Sequence, residues 1–381
     1  MRKIRRFNAL FLILCALGTS AVRAAEEAPA VSAETAILLE PDSGQLLYAK
    51  DPDKPMKGAS TVKIMTALLA LEALDPAQTV TVRPEWTGCE GSSMYLRAGQ
   101  ELTVRELLTG LLLCSGNDAA KALACLVSGS EEAFVRRMNE KAGALGMAGT
   151  VFADASGLCA EGHTITARDL ALLTAEALKN PTFRELVSCK TAEAGGVQLR
   201  NHNKLLWRDE RVIGVKTGYT RAAGRTLVSA AEADGMTLIC VTMNDPCDWE
   251  DHLRLLDWGF QTFTKPDPAA WRFSVPTVSG EAVTAEAIPA EEPALLTKRG
   301  EELRWAPQLP KFVYAPVRAG DPAGLLKGYA PDGTEMASLP LIWAENVALA
   351  ENEELSFWEK VKWSWAFACR HSPNPLPGAY Y

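Results

Sequence analysis

A serine and a lysine stand three positions apart at the start of an apolar segment, in residues 57–72, KGASTVKIMTALLALE. Residues three apart share one face of a helix, so the amine of Lys63 could reach the hydroxyl of Ser60. A serine hydroxyl needs a base to take its proton, and lysine acts as one only if burial or a second cation lowers its pKa. The pair therefore predicts a nucleophile and its base, although a capped helix with a surface lysine would show the same spacing.

Two further short motifs follow along the chain. Ser115 and Asn117 stand in LLLCSGNDAAK, between apolar segments with helical periodicity. Lys216, Thr217 and Gly218 stand in VIGVKTGYT, whose composition favours a strand. A cation beside a hydroxyl suits a carboxylate ligand, and a glycine lets a substrate backbone approach a strand edge. Each motif is weak alone, so their weight comes from occurring together and in this order.

The order is Ser-x-x-Lys, then Ser-x-Asn about fifty residues later, then Lys-Thr-Gly about a hundred residues after that. With these motifs the chain resembles the low-molecular-weight penicillin-binding proteins that act as D-alanyl-D-alanine carboxypeptidases. The resemblance extends to GSSMYLRAGQELTVRELLTGLLLCSGNDAA, ITARDLALL and NHNKLLW, and it covers roughly residues 30–263 closely. It implies a peptidase that removes the terminal D-alanine of peptidoglycan stems during cell-wall remodelling.

The resemblance also implies which residues carry out acyl transfer. Ser60 would attack the carbonyl between two D-alanines, and Lys63 would take its proton. Ser115 would relay a proton to the leaving amine, together with Lys216. Asn117 would hold Lys63 and the substrate amide, and water would release the acyl-enzyme. No metal and no cofactor are implied.

Substrate binding is implied for residues around the third motif. Lys216 and Thr217 would bind the terminal carboxylate, and Gly218 would admit the substrate backbone. The backbone N–H groups of Ser60 and Tyr219 would form the oxyanion hole. The implied partners are peptidoglycan stem peptides, with β-lactam antibiotics as inhibitors.

Several positions leave alternatives open. His202 aligns with the carboxylate-binding side, but a structural role competes with that interpretation, and Arg225 is open in the same way. The middle motif is Ser-Gly-Asn rather than Ser-Asp-Asn, which argues against a class A β-lactamase. Residues 153–158, ADASGL, stand where the family pattern would have an Asn-Pro-His-Gly-like segment, so the contacts of that loop are not predicted.

Two alternative functions remain beside the carboxypeptidase. A β-lactamase-like hydrolase would share the motifs but needs a further group to activate the deacylating water. A catalytically inactive peptidoglycan-binding module would share the fold but need not keep every motif. A metallo-hydrolase is disfavoured because the four histidines are scattered. They are His163, His202, His252 and His371.

The pattern of elements predicts a mixed α/β (α+β) fold in which an antiparallel sheet is flanked by helices and carries a helical subdomain. Strand patterns near both ends of residues 25–263 enclose helical periodicity at 104–113, 117–127, 131–145 and 167–178. This is the penicillin-binding and β-lactamase-like transpeptidase architecture that the resemblance implies. Residues 264–350 are rich in proline and turn signals and predict a small all-β domain.

Both ends of the chain have sequence patterns that differ from those of the folded units. Residues 1–24 have basic residues, an apolar run and small residues before Ala24, which predicts a signal peptide and export to the outer face of the cytoplasmic membrane. Residues 351–370 predict an amphipathic helix with three tryptophans, which suits either a membrane surface or docking on the preceding domain. Residues 371–381 are predicted to be disordered.

Charge and cysteine content narrow the function classes. The net charge is −8, and removal of residues 1–24 would take away five cations and no acids, leaving −13. An acidic exported protein without a basic stripe is a poor candidate for binding nucleic acid. Of the nine cysteines, Cys114, Cys125 and Cys240 lie in apolar runs and are predicted to be small core residues.

Overall fold

The computed structural model describes residues 27–158, 161–268, 271–301, 303–350 and 361–365. The chain divides into two compact units, the first made of described residues up to Thr264 together with Lys298–Gly300, and the second of the remaining ones. The predicted signal peptide and the predicted disordered tail lie outside the described residues. So does most of the predicted C-terminal helix, of which residues 361–365 are helical and exposed.

The first unit mixes strands and helices along the chain. Its elements up to the middle of the unit are β1 (Thr35–Glu40), β2 (Gln45–Lys50), a 3₁₀ turn (Ala59–Val62), α1 (Lys63–Ala73), β3 (Thr79–Thr81), a 3₁₀ turn (Pro84–Trp86), β4 (Glu101–Thr103), α2 (Val104–Leu113), α3 (Asn117–Ser128) and α4 (Glu131–Ala144). The rest are α5 (Ala167–Leu178), α6 (Pro181–Ser188), β5 (Thr191–Ala194), β6 (Val197–Arg200), a 3₁₀ turn (Lys204–Trp207), β7 (Val212–Thr220), β8 (Gly224–Ala233), β9 (Met236–Met243), α7 (Asp248–Thr262) and β10 (Phe263–Thr264).

A five-stranded antiparallel sheet forms one layer of this unit, in the order β2-β1-β9-β8-β7. β1 sits inside the sheet although it comes first in the chain, and it is buried along its whole length. β7, which carries Lys216 and Thr217, is an edge strand. One row of its backbone groups is therefore left unpaired by the sheet and is available to a ligand or to another segment.

The helices form the other part of the core. α1 buries Ile64, Met65 and Leu68 in one cluster with α2, α3 and α5. The N-terminus of α2 has a capping box in which Thr103 and Glu106 satisfy each other's backbone N–H groups. Oε1 of Glu106 also accepts a hydrogen bond from the N–H of Gly195, which ties the β5–β6 hairpin to the start of α2.

The fold-class prediction is confirmed, and helices found at 104–113, 117–128, 131–144 and 167–178 match the sequence periodicity within one residue. The shared helical face expected for Ser60 and Lys63 is formed differently, since Ser60 lies in a 3₁₀ turn and the α-helix begins at Lys63. The turn keeps the predicted geometry because positions i and i+3 are eclipsed in a 3₁₀-helix. The helix α6 and the β5–β6 hairpin were not predicted.

The second unit is a small β-domain. Its strands are β11 (Phe273–Val278), β12 (Thr284–Pro289), β13 (Thr297–Lys298, whose second residue belongs to the first unit), β14 (Arg304–Gln308), β15 (Val313–Tyr314), β16 (Pro322–Tyr329) and β17 (Glu335–Trp343). Six of these strands form one sheet in the order β14-β16-β17-β12-β11-β15. Its own core includes Val275, Leu326, Leu341 and Trp343, as expected for a separate β-rich unit.

Candidate active site

The side chain of Lys63 lies at the centre of the three motifs. It is fully buried, and its Nζ lies 2.9 Å from Oγ of Ser60, 2.7 Å from Oδ1 of Asn117 and 2.8 Å from the carbonyl oxygen of Ser156. Burial above all, and then the positive charge of Lys216, hold its pKa well below the ordinary value for lysine. The first motif thus contains a lysine suited to accept a proton from its neighbouring serine.

Asn117 is oriented by two hydrogen bonds of its side chain. Its Nδ2 donates to the carbonyl oxygen of Glu90 at 2.6 Å, so its Oδ1 is the atom turned toward Lys63. The backbone N–H of Asn117, at the first position of α3, donates to the carbonyl oxygen of Ser92. The start of α3 is therefore fixed against the loop before β4, which holds the second motif beside the first.

Ser115 is held in a left-handed backbone conformation, with φ of 63°, between α2 and α3. Its side chain is almost fully buried, and its Oγ has no hydrogen-bond partner among the described residues. A buried hydroxyl without a partner is uncommon in folded proteins and often marks a functional position.

Lys216 and Gly218 bring the third motif to the nucleophile. Lys216 is buried, donates to the carbonyl oxygen of Thr217 at 2.9 Å, and has a pKa lowered to about 8 by burial. A Cβ atom on Gly218 would lie 3.2 Å from the backbone nitrogen of Ser60 and 3.1 Å from the carbonyl oxygen of Gly58. The edge strand β7 therefore packs directly on the turn that carries Ser60, and a side chain at position 218 would push the two apart.

A loop that was not predicted to contribute completes the surroundings of Lys63. Oδ1 of Asp154 accepts hydrogen bonds from the N–H groups of Ser156 and Gly157 at 2.6 and 2.5 Å, which fixes a tight turn. This turn presents the Ser156 carbonyl to Lys63, and the hydroxyl of Thr66 donates to the carbonyl oxygen of Ala155. The sequence signal that could have revealed it is the Asp-x-Ser-Gly turn pattern.

Comparison with known proteins identifies the family of the chain. The family model described as D-alanyl-D-alanine carboxypeptidase, peptidase S11, matches residues 22–247, which is more than half of the chain. The chain belongs to this family. The predicted family and enzyme class, a serine carboxypeptidase of the penicillin-binding group, are confirmed.

Individual relatives extend the match into the second unit. The D-alanyl-D-alanine carboxypeptidase DacF of Bacillus subtilis is 33% identical over 84% of this chain and 86% of its own length. DacC of Escherichia coli is 34% identical over 88% of this chain and 90% of its own. The crystal structure of penicillin binding protein 5 from Haemophilus influenzae covers 84% of this chain and 98% of its own, with 28% identity and a TM-score of 0.67.

The remaining predicted residues lie around this centre. Tyr219, next to Gly218 on β7, is 68% exposed. His202 is also exposed, its backbone N–H donates to the carbonyl oxygen of Leu113, and partial burial and Lys216 lower its pKa. His202 therefore lies close enough to Lys216 for the two charges to interact.

Arg225 contacts two residues of α7. Its Nη2 lies 2.7 Å from a carboxylate oxygen of Asp248, and its guanidinium lies over the ring of Trp249 at 5.5 Å. Both partners belong to the first turn of α7, so Arg225 anchors that helix to β8. Both open positions lie beside predicted site residues, since His202 is close to Lys216 and Arg225 is the cross-strand partner of Tyr219.

Cys114 and Cys125 pack against the core and Cys240 is fully buried, as predicted. Among the described cysteines none forms a disulfide.

Proposed function

We propose that the chain hydrolyses the terminal D-Ala-D-Ala bond of peptidoglycan stem peptides through an acyl-enzyme on Ser60, with Lys63 as the general base. The observation that carries the proposal is the set of three atoms around Nζ of Lys63. Two of them, Oδ1 of Asn117 and the carbonyl oxygen of Ser156, can only accept hydrogen bonds. The third is the hydroxyl of Ser60, which can also donate.

A neutral amine can satisfy this arrangement, and the lowered pKa of Lys63 favours that form over the protonated one. A neutral lysine has two N–H bonds and one lone pair, and the two obligatory acceptors take both N–H bonds. The lone pair is then left for the proton of the Ser60 hydroxyl. The lowered pKa supports the same protonation state, so Ser60 is prepared for attack before substrate arrives.

In the proposed reaction the Ser60 oxygen attacks the carbonyl carbon and Lys63 takes the proton. Lys216 and Thr217 bind the terminal carboxylate, and the N–H groups of Ser60 and Tyr219 stabilise the oxyanion. Ser115 passes a proton to the leaving amine, a role supported by its buried hydroxyl, which has no hydrogen-bond partner among the residues that the structure describes. Water then hydrolyses the ester and restores Ser60.

We further propose that the protein acts outside the cytoplasmic membrane, where its substrate lies. The support is the signal-peptide pattern in residues 1–24 and the tryptophan-rich pattern in residues 351–370. Trp363 and Trp365 are exposed in the described part of the latter segment. Of the described residues, no helix is both long and apolar enough to cross a bilayer.

The test is incubation with a fluorescent penicillin, followed by intact-mass measurement and peptide mapping, alongside D-alanine release from a pentapeptide stem. We expect a long-lived adduct on Ser60 of the parent protein and no adduct in Ser60→Ala, although the variant should fold like the parent. Ser338→Ala, an exposed serine of the second unit, is the matched control and should be labelled like the parent protein. Rapid penicillin turnover would favour the β-lactamase alternative, and absence of any reaction would favour the inactive binding module.

A further inference from the structure

The segment that leads into β1 is fastened to the first unit by hydrogen bonds from two other strands, and we call residues 31–34 the entry strap. Nζ of Lys50 on β2 donates to the carbonyl oxygens of Val31 and Ala33 at 3.1 and 2.5 Å. The backbone N–H of Glu34 donates to a carbonyl oxygen at the end of β9. The entry strap is thus held against the five-stranded sheet before its own strand begins.

Ser32 of the entry strap contacts two buried carboxyl groups. Its Oγ lies 2.7 Å from Oδ1 of Asp245, which follows β9, and 2.8 Å from Oδ2 of Asp251 on α7. Its backbone N–H donates to the same Oδ2 of Asp251 at 2.6 Å. Both aspartates are buried whereas Ser32 is exposed, so the strap lies between the two carboxyl groups and solvent.

The hydroxyl of Ser32 has a single proton and cannot donate to two carboxylates at once. If both aspartates were ionised, one of the two short oxygen–oxygen contacts would contain no proton, and two negative charges would be buried close together. A proton on Asp245 removes both problems, because its O–H then donates to Oγ of Ser32 while Ser32 donates to Asp251. The geometry is therefore satisfied by two consecutive hydrogen bonds that include one carboxyl proton.

The surroundings favour Asp245 as the carrier of this proton. Although burial opposes the ionisation of Asp251, the N–H and hydroxyl of Ser32 and the guanidinium of Arg254 hold the pKa of Asp251 below its ordinary value. Burial raises the pKa of Asp245, and hydrogen bonds from two hydroxyls and from the N–H of Cys247 offset that effect only in part. Asp251 is thus the charged member of the pair and Asp245 the neutral one.

The uncharged titratable groups that face this pair among the described residues do not change charge between about pH 5 and pH 9. Burial lowers the pKa of His252 on α7 to about 3, so its ring is neutral in this range. Burial raises the pKa of the Cys240 thiol on β9 well above its ordinary value, and it also raises the pKa of Tyr48 on β2. A change of charge within this range therefore falls on a carboxyl group.

Other charged side chains lie near the pair, and they are Lys50 on β2, Arg254 on α7, Glu34 of the strap, and the ion pair of Arg225 with Asp248. Hydrogen bonds from Asn244 and Lys54 hold the pKa of Glu34 below its ordinary value. Burial raises the pKa of Asp248, as it does for Asp245. The carboxylate of Asp248 binds the guanidinium of Arg225, however, and among the described residues it makes no hydrogen bond to the strap.

We propose that the entry strap is a pH-sensitive latch, which is closed while Asp245 holds its proton and opens when that proton is lost. Ionisation removes one of the two consecutive hydrogen bonds and places a second negative charge beside Asp251. The pKa of Asp245 is raised in the closed form, so the closed form binds the proton more tightly than the open form does. The advantage of the closed form is therefore complete below the ordinary pKa of an aspartate and is lost as the pH rises through the raised one.

Opening of the latch changes a groove of about 510 Å³ in the first unit. Ser32 and Glu34 of the strap lie in its wall, together with Tyr219 at the end of β7 and Arg225 at the start of β8. An open strap removes one side of this groove. The latch itself uses none of the atoms around Lys63, so it operates whether or not the proposed reaction is correct.

Hydrogen exchange of the full chain between about pH 4 and pH 9, measured by mass spectrometry on peptides that cover residues 31–34, tests the latch. Each rate is divided by that of an unstructured peptide at the same pH, so that the ratio reports the opening equilibrium of the strap. We expect this equilibrium to rise by up to about tenfold per pH unit, the limit for one proton, and then to level off. In Asp245→Asn the side chain is neutral at every pH, so the strap should show no rise.

Asp248→Asn is the matched control, because it removes a neighbouring buried carboxylate that does not bind the strap, and it should keep the pH dependence of the parent protein. Asp251→Asn allows Ser32 to donate to an ionised Asp245, so its rise should end at a lower pH than in the parent.

An opening equilibrium of the parent protein that does not change with pH would overturn the latch. A rise of the parent's size in Asp245→Asn would overturn it too, since the titration would then belong to another group. If Asp245→Asn does not fold, as judged by circular dichroism, the comparison of Asp251→Asn with Asp248→Asn decides, and identical profiles of these two variants would count against the latch.

Discussion

Oδ1 of Asn117 lies 2.7 Å from Nζ of Lys63, a contact that joins the start of α3 to the start of α1. The partner that the helical subdomain offers to the buried amine is therefore a neutral amide and not a carboxylate. A carboxylate at this distance would favour the protonated lysine, whereas an amide oxygen orients the amine without adding charge. A carboxylate at residue 117 would therefore oppose the burial and the Lys216 charge that hold the pKa of Lys63 low.

Replacing Asn117 by aspartate tests this relationship. Asn117→Asp puts a negative charge beside Lys63, raises the lysine pKa and should lower the acylation rate at neutral pH by about 10²-fold or more, since each pKa unit corresponds to a factor of ten in the neutral fraction. The rate should recover as the pH is raised. Asn117→Ala loses the orienting contact and should be slow at every pH. Stopped-flow acylation with a β-lactam measures both, and an aspartate variant as fast as the parent at pH 7 would contradict the model.

The pH profile of acylation should move in opposite directions in two charge variants. Lys216 lowers the pKa of Lys63 and Asp154 raises it. Lys216→Gln should therefore shift the acidic limb of the profile to higher pH, and Asp154→Asn should shift it to lower pH while its Oδ1 still accepts the turn hydrogen bonds. The acidic limb is measured as the pH dependence of the maximal acylation rate at saturating β-lactam, at pH values below 8. Shifts in the same direction would show that Lys63 is not the titrating base.

Substrate affinity should weaken in mildly alkaline solution. The pKa of Lys216 is lowered to about 8 because the side chain is buried, so the residue is positive below that pH and neutral above it. A carboxylate ligand loses its charged partner as the pH rises through about 8. KM for the pentapeptide should rise above pH 8 while kcat changes less. In Lys216→Arg the guanidinium keeps its charge, so a KM that still rose in this variant would assign the effect to another group.

The turn at Gly157 should be intolerant of any side chain. A Cβ there would lie 1.8 Å from the carbonyl oxygen of Ala59, and the residue has φ of +79°. Gly157→Ala should lower the free energy of unfolding by about 2–4 kcal/mol, from backbone strain plus the clash, and reduce acylation because Ser156 would move away from Lys63. Gly146→Ala is the control, with φ of +73° and open space around its Cβ. It should cost only about 1 kcal/mol and leave acylation unchanged, as measured by urea unfolding and β-lactam labelling.

The sequence predicted those parts of the site that depend on side-chain type and local order. Ser60, Lys63, Ser115, Asn117 and Lys216 stand in short motifs, each of which lies on or beside an element with a clear periodic pattern. The structure brings Ser60, Lys63 and Asn117 into hydrogen-bonding contact. The contribution of Ser156 was missed because it comes from a backbone carbonyl, whose position depends on tertiary packing and not on residue type.

Short secondary-structure elements were the other part of the fold that the sequence did not predict. The strands β5 and β6 have four residues each, too few to show a period of two, and only the glycine pair 195–196 marks the turn between them. The left-handed conformation of Ala59, with φ of 46°, could not be predicted either, since alanine has no preference for it. It is imposed by the packing of the 3₁₀ turn between β7 and the Gly157 loop.

The β5–β6 hairpin hydrogen-bonds in a two-stranded sheet of its own and takes no part in the five-stranded sheet. Its turn is tied at Gly195 to Glu106, and its last residue, Arg200, lines a groove together with His202. Because Ala194 and Leu199 of the hairpin are buried in the core of the first unit, its exposed positions Val197 and Gln198 are the ones that can be varied while the machinery that forms the ester keeps its support.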